Sequence, residues 1–411
     1  EYIMKYVVIL GDGMADEPIE ALDGRTPLEA AKTPTMDQLA KDAEIGLLKT
    51  IPDGMKPGSD TANLAVLGYD PKEYYTGRSP LEALSIGVPM EDTDVALRCN
   101  LVTLTEEEPY EEKRILDHSS SEISTEDADV LLDAVKKELQ SENYQFYTGT
   151  SYRHCMIWKN GTVVELTPPH DHLTEVIHPY LPQDAMLREM QKRSYEILAN
   201  HPINQERRAK GLNPANSLWF WGAGTKPMLS AFSEKYGKNG AMISAVDLLK
   251  GIAVGAKMQV IEVPGANGGL HTNYEGKAEA ALKALLQDGM DFAYVHLEAP
   301  DEMGHQGSLE RKLQAIENLD HRIIRLVKDG LDASGEDYRM LVLPDHPTPL
   351  RIRTHSAEPV PYLLYDSRKH LGSSTIYCER TAKENGIRRM EGYKMMDVLL
   401  ERTYEPDTCT L

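Results

Sequence analysis

The sequence is poor in positive charge and in cysteine, and it contains no long apolar run. Its 411 residues include 44 Lys and Arg against 65 Asp and Glu, a net charge of −21. Such an excess of acid repels phosphate backbones and anionic lipids, so we expect neither a nucleic-acid partner nor a membrane partner. No apolar run approaches the roughly 20 residues that cross a bilayer. The length suffices for two globular domains.

The four cysteines are far apart and form no Cys-x-x-Cys pair; they are Cys99, Cys155, Cys378 and Cys409. This spacing argues against a disulfide framework and against a thiolate zinc site. Met4 lies within a strand pattern rather than behind a signal peptide. We therefore expect a reducing, cytoplasmic setting.

Two strand-like apolar runs end abruptly in polar residues. Residues 6–10 read as a strand buried on both faces, and Asp12 follows between two glycines. Residues 341–343 end in the same way, at Asp345 and His346. Open α/β sheets bind their ligands beyond the carboxyl ends of their strands. Both positions therefore favour ligand binding, although Asp345-His346 taken alone is more typical of a loop and Asp12 is also compatible with a turn.

A third strand-like run, residues 291–298, is followed by Asp301 and His305. These two residues are four apart, so one helical turn places them on the same side. A further imidazole, His355, follows the Asp345 strand after a Pro-broken loop. Carboxylates mixed with imidazoles suit zinc, manganese and related divalent ions. The recurrence of such groups after three strands predicts a metal site.

Ser59 follows Pro57-Gly58 at the opening of a short predicted helix. Backbone N–H groups at that place favour an oxyanion or a phosphate, so Ser59 is the candidate nucleophile. The alternative is that Ser59 or Asp60 merely caps the helix. The sequence has no Gly-x-Ser-x-Gly elbow, which disfavours a Ser-His-Asp hydrolase.

The strand-terminal residues divide into two candidate ion sites. One holds Asp301, His305 and His355, and the other holds Asp12, Ser59, Asp345 and His346. Two ions about 3.5–4 Å apart can activate a nucleophilic oxygen and stabilise the opposite oxygen of an in-line phosphoryl displacement.

The pattern changes to alternating strands around a polar helix from about residue 92 to residue 224. We expect a smaller α+β domain inserted into the first, which divides the chain into a core of residues 1–91, an insert of residues 92–224 and a core of residues 225–411. Residues 219–224 are expected to form the hinge back to the core. Polar residues that packing does not explain are candidates for substrate binding; in the insert they include His118, Arg153, Asp171 and Arg207, and before it Arg78.

In their order along the chain, the candidate metal ligands and Ser59 resemble the pattern of the alkaline phosphatase superfamily. Its members present Asp, Ser or Thr, Asp-x-x-x-His, Asp-His and a last His in this order. Within that superfamily the chain is similar, over nearly its full length, to cofactor-independent phosphoglycerate mutases of the archaeal type. The stretches that carry the similarity are Gly11-Asp12-Gly13, Gly58-Ser59-Asp60, residues 77–83 (GRSPLEA), 244–251 (SAVDLLKG), 298–305 (EAPDEMGH) and Asp345-His346.

This resemblance implies an α/β, alkaline-phosphatase-like doubly wound sheet with an inserted α+β lid and two divalent ions, Mn, Mg or Zn. It implies that Ser59 takes the phosphoryl group from 3-phosphoglycerate and returns it to the other hydroxyl of the glycerate. The lid would exclude water, which would otherwise hydrolyse the phosphoserine. Arg153, Asp171 and Arg207 fall where the family keeps substrate-facing groups.

One stretch departs from the family pattern. Residues 117–123 read Asp-His-Ser-Ser-Ser-Glu-Ile, where such mutases commonly have Asp-Arg-x-Ala-Gly-Arg-Ile. Loss of two arginines weakens anion binding and admits a substrate ammonium group. A homoserine kinase-like phosphotransferase acting on a small hydroxy acid is thus the first alternative. A non-catalytic metal-binding protein is the second, and retention of Ser59 argues against it.

Overall fold

The computed structural model describes residues 3–371, 374–402 and 407–408, which form two units. Unit 1 comprises Glu1–Tyr75 and Leu229–Leu411, and unit 2 comprises Thr76–Met228. The first boundary lies earlier than residue 92 because the preceding segment packs on the unit 2 sheet. Ala83, Val88 and Met90 share a buried cluster with Ala96 and Ile157 of that sheet.

Unit 1 alternates strands and helices along both of its segments. Its strands are β1 (Met4–Gly11), β2 (Glu44–Leu48), β8 (Gly240–Ile243), β9 (Gln259–Val260), β10 (Phe292–Leu297), β11 (Asp337–Leu343), β12 (Val360–Asp366), β13 (Ile387–Arg389) and β14 (Asp407–Thr408). Its helices are α1 (Pro27–Ala30), α2 (Pro34–Ala40), α3 (Ser59–Val66), α4 (Pro71–Tyr74), α9 (Phe232–Tyr236), α10 (Asp247–Gly255), α11 (Tyr274–Leu286), α12 (Ala299–His305), α13 (Leu309–Leu319), α14 (Arg325–Ser334), α15 (Glu379–Glu384) and α16 (Met395–Leu399).

These strands form one nine-stranded sheet in the order β14-β13-β2-β12-β11-β1-β10-β8-β9. The centre is parallel, since β1 pairs in parallel with both β10 and β11, and β10 pairs in parallel with β8. β12 runs antiparallel to both β11 and β2. The β1 run is continuously apolar because strands in the middle of a covered parallel sheet are buried on both faces.

Helices cover both faces of this sheet. Val7 and Ile9 of β1 belong to the buried cluster that α2, α11, α13 and α14 build on one face. Val8 and Leu10, which alternate with them and so point to the other face, are also fully buried, and α10 and α16 contact the neighbouring strands β8 and β11. The predicted α/β class with a doubly wound sheet is confirmed.

Unit 2 is a smaller α+β unit. It contains α5 (Arg78–Ser85), β3 (Val95–Leu104), β4 (Ile115–Asp117), α6 (Thr125–Leu139), β5 (Tyr144–Thr150), β6 (Arg153–Trp158), α7 (Ala185–Leu198), α8 (Pro202–Ala209) and β7 (Ser217–Thr225). Its sheet has the order β4-β3-β6-β5, and β7 also pairs with β3. Leu131 and Val135 of α6 pack with Leu187 of α7 on this sheet.

Residues 219–224 lie inside β7, so the prediction of a hinge there is wrong. Trp219 and Phe220 pair in register with Asn100 and Cys99 of β3, and both are buried. Residues 219–224 form a strand because they pair with β3 and because Trp219 and Phe220 are buried in the core of unit 2.

Cys99, Cys155 and Cys378 are free and buried, and Cys409 lies outside the described residues. Among the helices that the structure describes, none combines the length and apolar character that a bilayer span requires.

Candidate active site

Three adjacent parallel strands of unit 1 end at the same edge of the sheet. Gly11 at the end of β1 pairs with Leu297 at the end of β10, and Leu10 pairs with Leu343 at the end of β11. The residues that follow these strands therefore emerge side by side. They are Asp12 after β1, Asp301 in α12 after β10, and Asp345 and His346 after β11.

The first group of side chains, the Ser59 group, gathers around the Ser59 hydroxyl. Ser59 Oγ lies 3.1 Å from Asp12 Oδ2 and 3.1 Å from His346 Nε2. His346 Nε2 in turn lies 3.4 Å from Asp12 Oδ1 and 3.4 Å from Asp345 Oδ2. Asp12, Asp345 and His346 are fully buried. All four side chains predicted for this site are thus together.

The second group, the Asp301 group, is formed by Asp301, His305 and His355. Asp301 Oδ2 lies 3.2 Å from His305 Nε2, and its Oδ1 lies 3.2 Å from His355 Nε2. The two imidazole Nε2 atoms are 3.0 Å apart. The three side chains predicted for this site are also together.

Both groups fit a divalent ion. Metal–ligand bonds of about 2.1 Å place neighbouring ligand atoms about 3.0–3.4 Å apart, in the range of the separations above. Asp12, Asp345 and His346 form one possible ligand set, and Asp301, His346 and His355 form another. His346 thus lies between the two groups and reaches both, which the sequence did not indicate.

Hydrogen bonds fix the ring nitrogens that face these sets. His305 Nδ1 lies 2.9 Å from the Arg353 carbonyl oxygen, and His346 Nδ1 lies 3.1 Å from that of Pro347. A carbonyl oxygen only accepts, so each Nδ1 carries a proton, and in the neutral ring the Nε2 lone pair is the one that faces the ligand set.

The charges in the site strongly perturb its ionisation. Burial, together with the negative charges of Asp345, Asp301 and Glu298, raises the pKa of Asp12 well above its ordinary value. Burial also disfavours ionised Asp301, but hydrogen bonds from His305 and His355 outweigh it and hold its pKa well below the ordinary value. The hydrogen bond to Asp301 raises the pKa of His305 to about 9. Crowded carboxylates of this kind favour a bound cation.

Ser59 is the first residue of α3, and Gly58 occupies the N-cap position. The Asp60 side chain accepts hydrogen bonds from the Thr61 N–H and from the Tyr75 hydroxyl. The Ser59 hydroxyl makes no capping bond and points to Asp12 and His346 instead. The capping interpretation of Ser59 is therefore wrong.

Further buried polar residues support the Ser59 group, and the sequence analysis missed them. His296 in β10 lies 2.7 Å from Asp12 Oδ2 through Nε2 and 3.1 Å from the Ser244 hydroxyl through Nδ1. Burial lowers the pKa of His296 to about 3, so the ring is neutral. The available signal was a histidine inside an apolar strand, where an unpartnered imidazole is costly.

The candidate substrate-binding residues lie in unit 2. His118 packs edge-to-face on Tyr152 and on His170, and His170 packs edge-to-face on Trp221. Asp171 is exposed, and its Oδ1 lies 3.5 Å from His170 Nε2.

Arginines flank these rings. The Arg153 guanidinium lies 4.3 Å above the Tyr152 ring, and that of Arg98, which the sequence analysis missed, lies 4.2 Å above the Trp221 ring. Burial lowers the pKa of Arg98, and the nearby charges of Arg78 and Arg153 lower it further while Glu82 opposes them. The charges of Arg78 and Arg153 thus act on Arg98, which itself pairs with Glu82 at 3.0 Å.

Arg207 is buried and its guanidinium contacts protein groups. It donates to the carbonyl oxygens of Ser120 and Asn213, and it lies 3.5 Å from Asp127. Arg207 thereby holds the loop of residues 117–122, whose sequence departs from the mutase pattern.

The sheet and the site together define an α/β enzyme that carries a serine hydroxyl beside two candidate metal-ligand groups. A family model described as 2,3-bisphosphoglycerate-independent phosphoglycerate mutase matches residues 40–204. A mutase of that name from Methanosarcina barkeri is 48% identical over 404 residues, which cover 97% of this chain and 100% of the relative. A probable mutase from Geobacter sulfurreducens is 46% identical, with coverage of 97% and 100%. The chain belongs to the family of 2,3-bisphosphoglycerate-independent phosphoglycerate mutases.

Solved structures agree with this assignment. A protein from Pyrococcus horikoshii matches with a TM-score of 0.81 and 30% identity, over 98% of this chain and 99% of the other. A cofactor-independent phosphoglycerate mutase from Thermoplasma acidophilum matches with a TM-score of 0.67 and 26% identity, over 97% and 99%. The resemblance to the mutases is thus confirmed, and the homoserine kinase alternative is not favoured.

Proposed function

We propose that this chain interconverts 3-phosphoglycerate and 2-phosphoglycerate through a phosphoserine at Ser59. The observation that carries the proposal is the Ser59 hydroxyl, which lies within 3.1 Å of both Asp12 and His346 at the carboxyl ends of the central strands. Family membership supports the same substrate, since the relatives bear the mutase name. Buried free cysteines support a reducing, cytoplasmic setting.

In this proposal the Ser59 group and the Asp301 group each hold one divalent ion, manganese, magnesium or zinc. Bound there, such ions lower the pKa of a coordinated hydroxyl and balance the charge of a transferring phosphoryl group. Asp12 and Asp345 supply the negative charge that attracts the cation, while the Nδ1 hydrogen bond of His346 aims its Nε2 at the same point. The Ser59 oxygen would bond to phosphorus as the bond from phosphorus to O3 of the glycerate breaks, with the hydroxyl proton passing to O3. In the return step O2 of the same glycerate would bond to phosphorus as the serine–phosphorus bond breaks, and the O2 proton would pass to Ser59.

Unit 2 by itself carries basic groups that suit an anionic ligand. Arg78, Arg98 and Arg153 concentrate positive charge in a chain whose net charge is −21. Such a cluster suits a carboxylate or phosphate and repels a substrate ammonium group, which favours phosphoglycerate over homoserine. His118 and Asp171 flank the cluster, whereas Arg207 acts on the substrate only through the loop that it holds.

The experiment that tests the proposal compares two substrates with the same manganese-loaded protein. One reaction contains 3-phosphoglycerate alone, and the other contains homoserine and ATP; both are followed by phosphorus NMR. We expect 2-phosphoglycerate to form without 2,3-bisphosphoglycerate, without nucleotide and without release of inorganic phosphate. A protein that leaves 3-phosphoglycerate unchanged and makes phosphohomoserine would overturn the proposal, and release of phosphate alone would identify a phosphatase.

A further inference from the structure

We propose that Asn63, held by Tyr294, is a positioning residue that fixes the Ser59 turn of α3 and the Asp345 carboxylate relative to each other. Asn63 lies one helical turn after Ser59, and its side chain is buried. Its amide nitrogen lies 2.7 Å from the Ser59 carbonyl oxygen and 3.0 Å from Asp345 Oδ2. The inference rests on the proposed role of Ser59 and adds residues to which no role has been given.

The partners determine the orientation of the Asn63 amide. A backbone carbonyl and a carboxylate only accept hydrogen bonds, so the NH₂ group must face Ser59 and Asp345. The amide oxygen then faces the Tyr294 hydroxyl, 2.6 Å away, which must donate to it. Both amide N–H donors and the amide oxygen are thus used, and a flipped amide would lose the bonds to Ser59 and Asp345 and set its oxygen against two acceptors.

Tyr294 links this amide to the centre of the sheet. It lies in β10 two residues before His296, so both side chains lie on the same face of that strand. Tyr294 is fully buried, and its hydroxyl is directed at Asn63 while His296 is directed at Asp12. One rigid strand therefore orients both sides of the Ser59 group.

Asn63 also completes the hydrogen bonds of the Asp345 carboxylate. Asp345 Oδ1 accepts from the backbone N–H groups of Gly13 and His346, at 3.0 and 2.8 Å. The Asn63 NH₂ is the third donor and binds the other oxygen, Oδ2. That oxygen faces His346 Nε2 at 3.4 Å, so Asn63 sets the direction in which Asp345 presents its lone pairs to a cation.

The test measures kcat, KM and manganese affinity in Asn63→Leu, Asn63→Asp, Tyr294→Phe and the Asn63→Leu/Tyr294→Phe double variant of the full chain. Leucine removes all three hydrogen bonds at similar volume, and aspartate keeps the acceptor for Tyr294 but loses both donors. We expect both Asn63 variants to lower kcat about 100-fold with KM nearly unchanged, because the nucleophile is displaced and substrate-binding groups are not. We expect manganese affinity to fall about 10-fold.

Tyr294→Phe removes only the bond that orients the amide, so we expect a smaller loss of kcat, about 10-fold. The double variant should match Asn63→Leu, because the Tyr294 hydroxyl acts through Asn63. Tyr294→Phe also preserves the test if Asn63→Leu fails to fold.

Two matched controls separate positioning from ordinary destabilisation. Asn204 is fully buried in unit 2 and also makes three side-chain hydrogen bonds, with Leu198 and Ala215. Tyr377 is buried and donates one hydroxyl bond to the Pro361 carbonyl. Asn204→Leu and Tyr377→Phe should lower the melting temperature as the site variants do, but leave kcat and manganese affinity unchanged.

The inference is overturned if the Asn63 variants keep the kcat and manganese affinity of the Asn204→Leu control, or if the losses of Asn63→Leu and Tyr294→Phe simply add. A wild-type protein that does not interconvert phosphoglycerates would contradict the proposed function instead. In that case the manganese titration of the same variants still decides the role of Asn63.

Discussion

Gly13 occupies a place in the site that no other residue can take without strain. Its φ of +63° is in the left-handed region, and a Cβ atom there would lie 2.7 Å from Asp301 Oδ1 and closer still to the Thr348 hydroxyl. Thr348 donates a 2.6 Å hydrogen bond to the same Asp301 oxygen. The close approach of these groups therefore depends on the absence of a side chain at position 13.

We predict that Gly13→Ala lowers the free energy of unfolding by about 2–4 kcal/mol, from left-handed strain together with steric overlap. Manganese affinity should fall as well, because Asp301 is pushed aside. Thermal unfolding and manganese titration measure the two effects. Gly24→Ala is the matched control, since Gly24 has φ +80° and open space around it. Equal losses in both variants would show that the crowding at Gly13 has no consequence.

At the scale of elements, the loop after β4 is organised by one carboxylate. Asp117 accepts hydrogen bonds from the Ser119 and Ser121 N–H groups, the Ser119 hydroxyl and the Asn213 amide. Burial opposes ionisation of Asp117, but these hydrogen bonds outweigh it and lower its pKa to about 2. Ser119 and Ser121, which lie in the stretch that departs from the family pattern, thus take part in the structure of the loop.

We predict that Asp117→Asn destabilises unit 2 by about 1 kcal/mol at pH 7, a value reduced for the solvent exposure of the carboxylate. The pKa of Asp117 is lower in the folded state, so the stabilisation is present above about pH 4 and is lost as the pH falls toward 2. Urea titrations followed by tryptophan fluorescence report on unit 2 alone, because the three tryptophans are residues 158, 219 and 221. Asp133→Asn, an exposed change in α6, is the control. A difference in the free energy of unfolding between Asp117→Asn and the wild type that persists unchanged to pH 2 would contradict this prediction.

The elements that the sequence predicted well are those with a strong local pattern. The continuous apolar run of β1 and the periodic polar helix α6 both correspond to observed elements. The run from Trp219 was misread because aromatic residues beside glycines resemble a hinge, and only its pairing with β3 identifies it as a strand. The contribution of α5 to unit 2 likewise depends on a tertiary contact that no local pattern encodes.

At the scale of the whole molecule, the site could be predicted as far as its residues follow strand ends. Asp12, Asp301 and Asp345 meet because β1, β10 and β11 are neighbours, and their order along the chain carried that information. The partners of the supporting residues Asn63 and His296 could not be assigned because they are distant in sequence, although the place of His296 in an apolar strand was a signal.

We predict that the manganese-supplemented protein binds two ions per chain, measured by elemental analysis and calorimetric titration. His355→Ala should retain one ion, whereas His346→Ala should weaken both, since His346 reaches both ligand sets. His370→Ala, an exposed histidine paired with Asp42, is the control and should bind as the wild type does. Chelator-treated protein should be inactive and should recover with manganese. Full activity in metal-free protein would refute the two-ion arrangement.

If the phosphoryl group passes through the Ser59 oxygen, it can be trapped there during turnover. The protein is mixed with 3-phosphoglycerate, quenched in acid within one turnover and digested, and the peptides are analysed by mass spectrometry. We predict phosphate on Ser59 in the wild type, none in Ser59→Ala, and a loss of turnover of about 10³-fold or more in that variant. Ser334→Ala, a change at the end of α14, should behave as the wild type. Wild-type turnover in Ser59→Ala, or phosphate trapped on another side chain, would contradict the account.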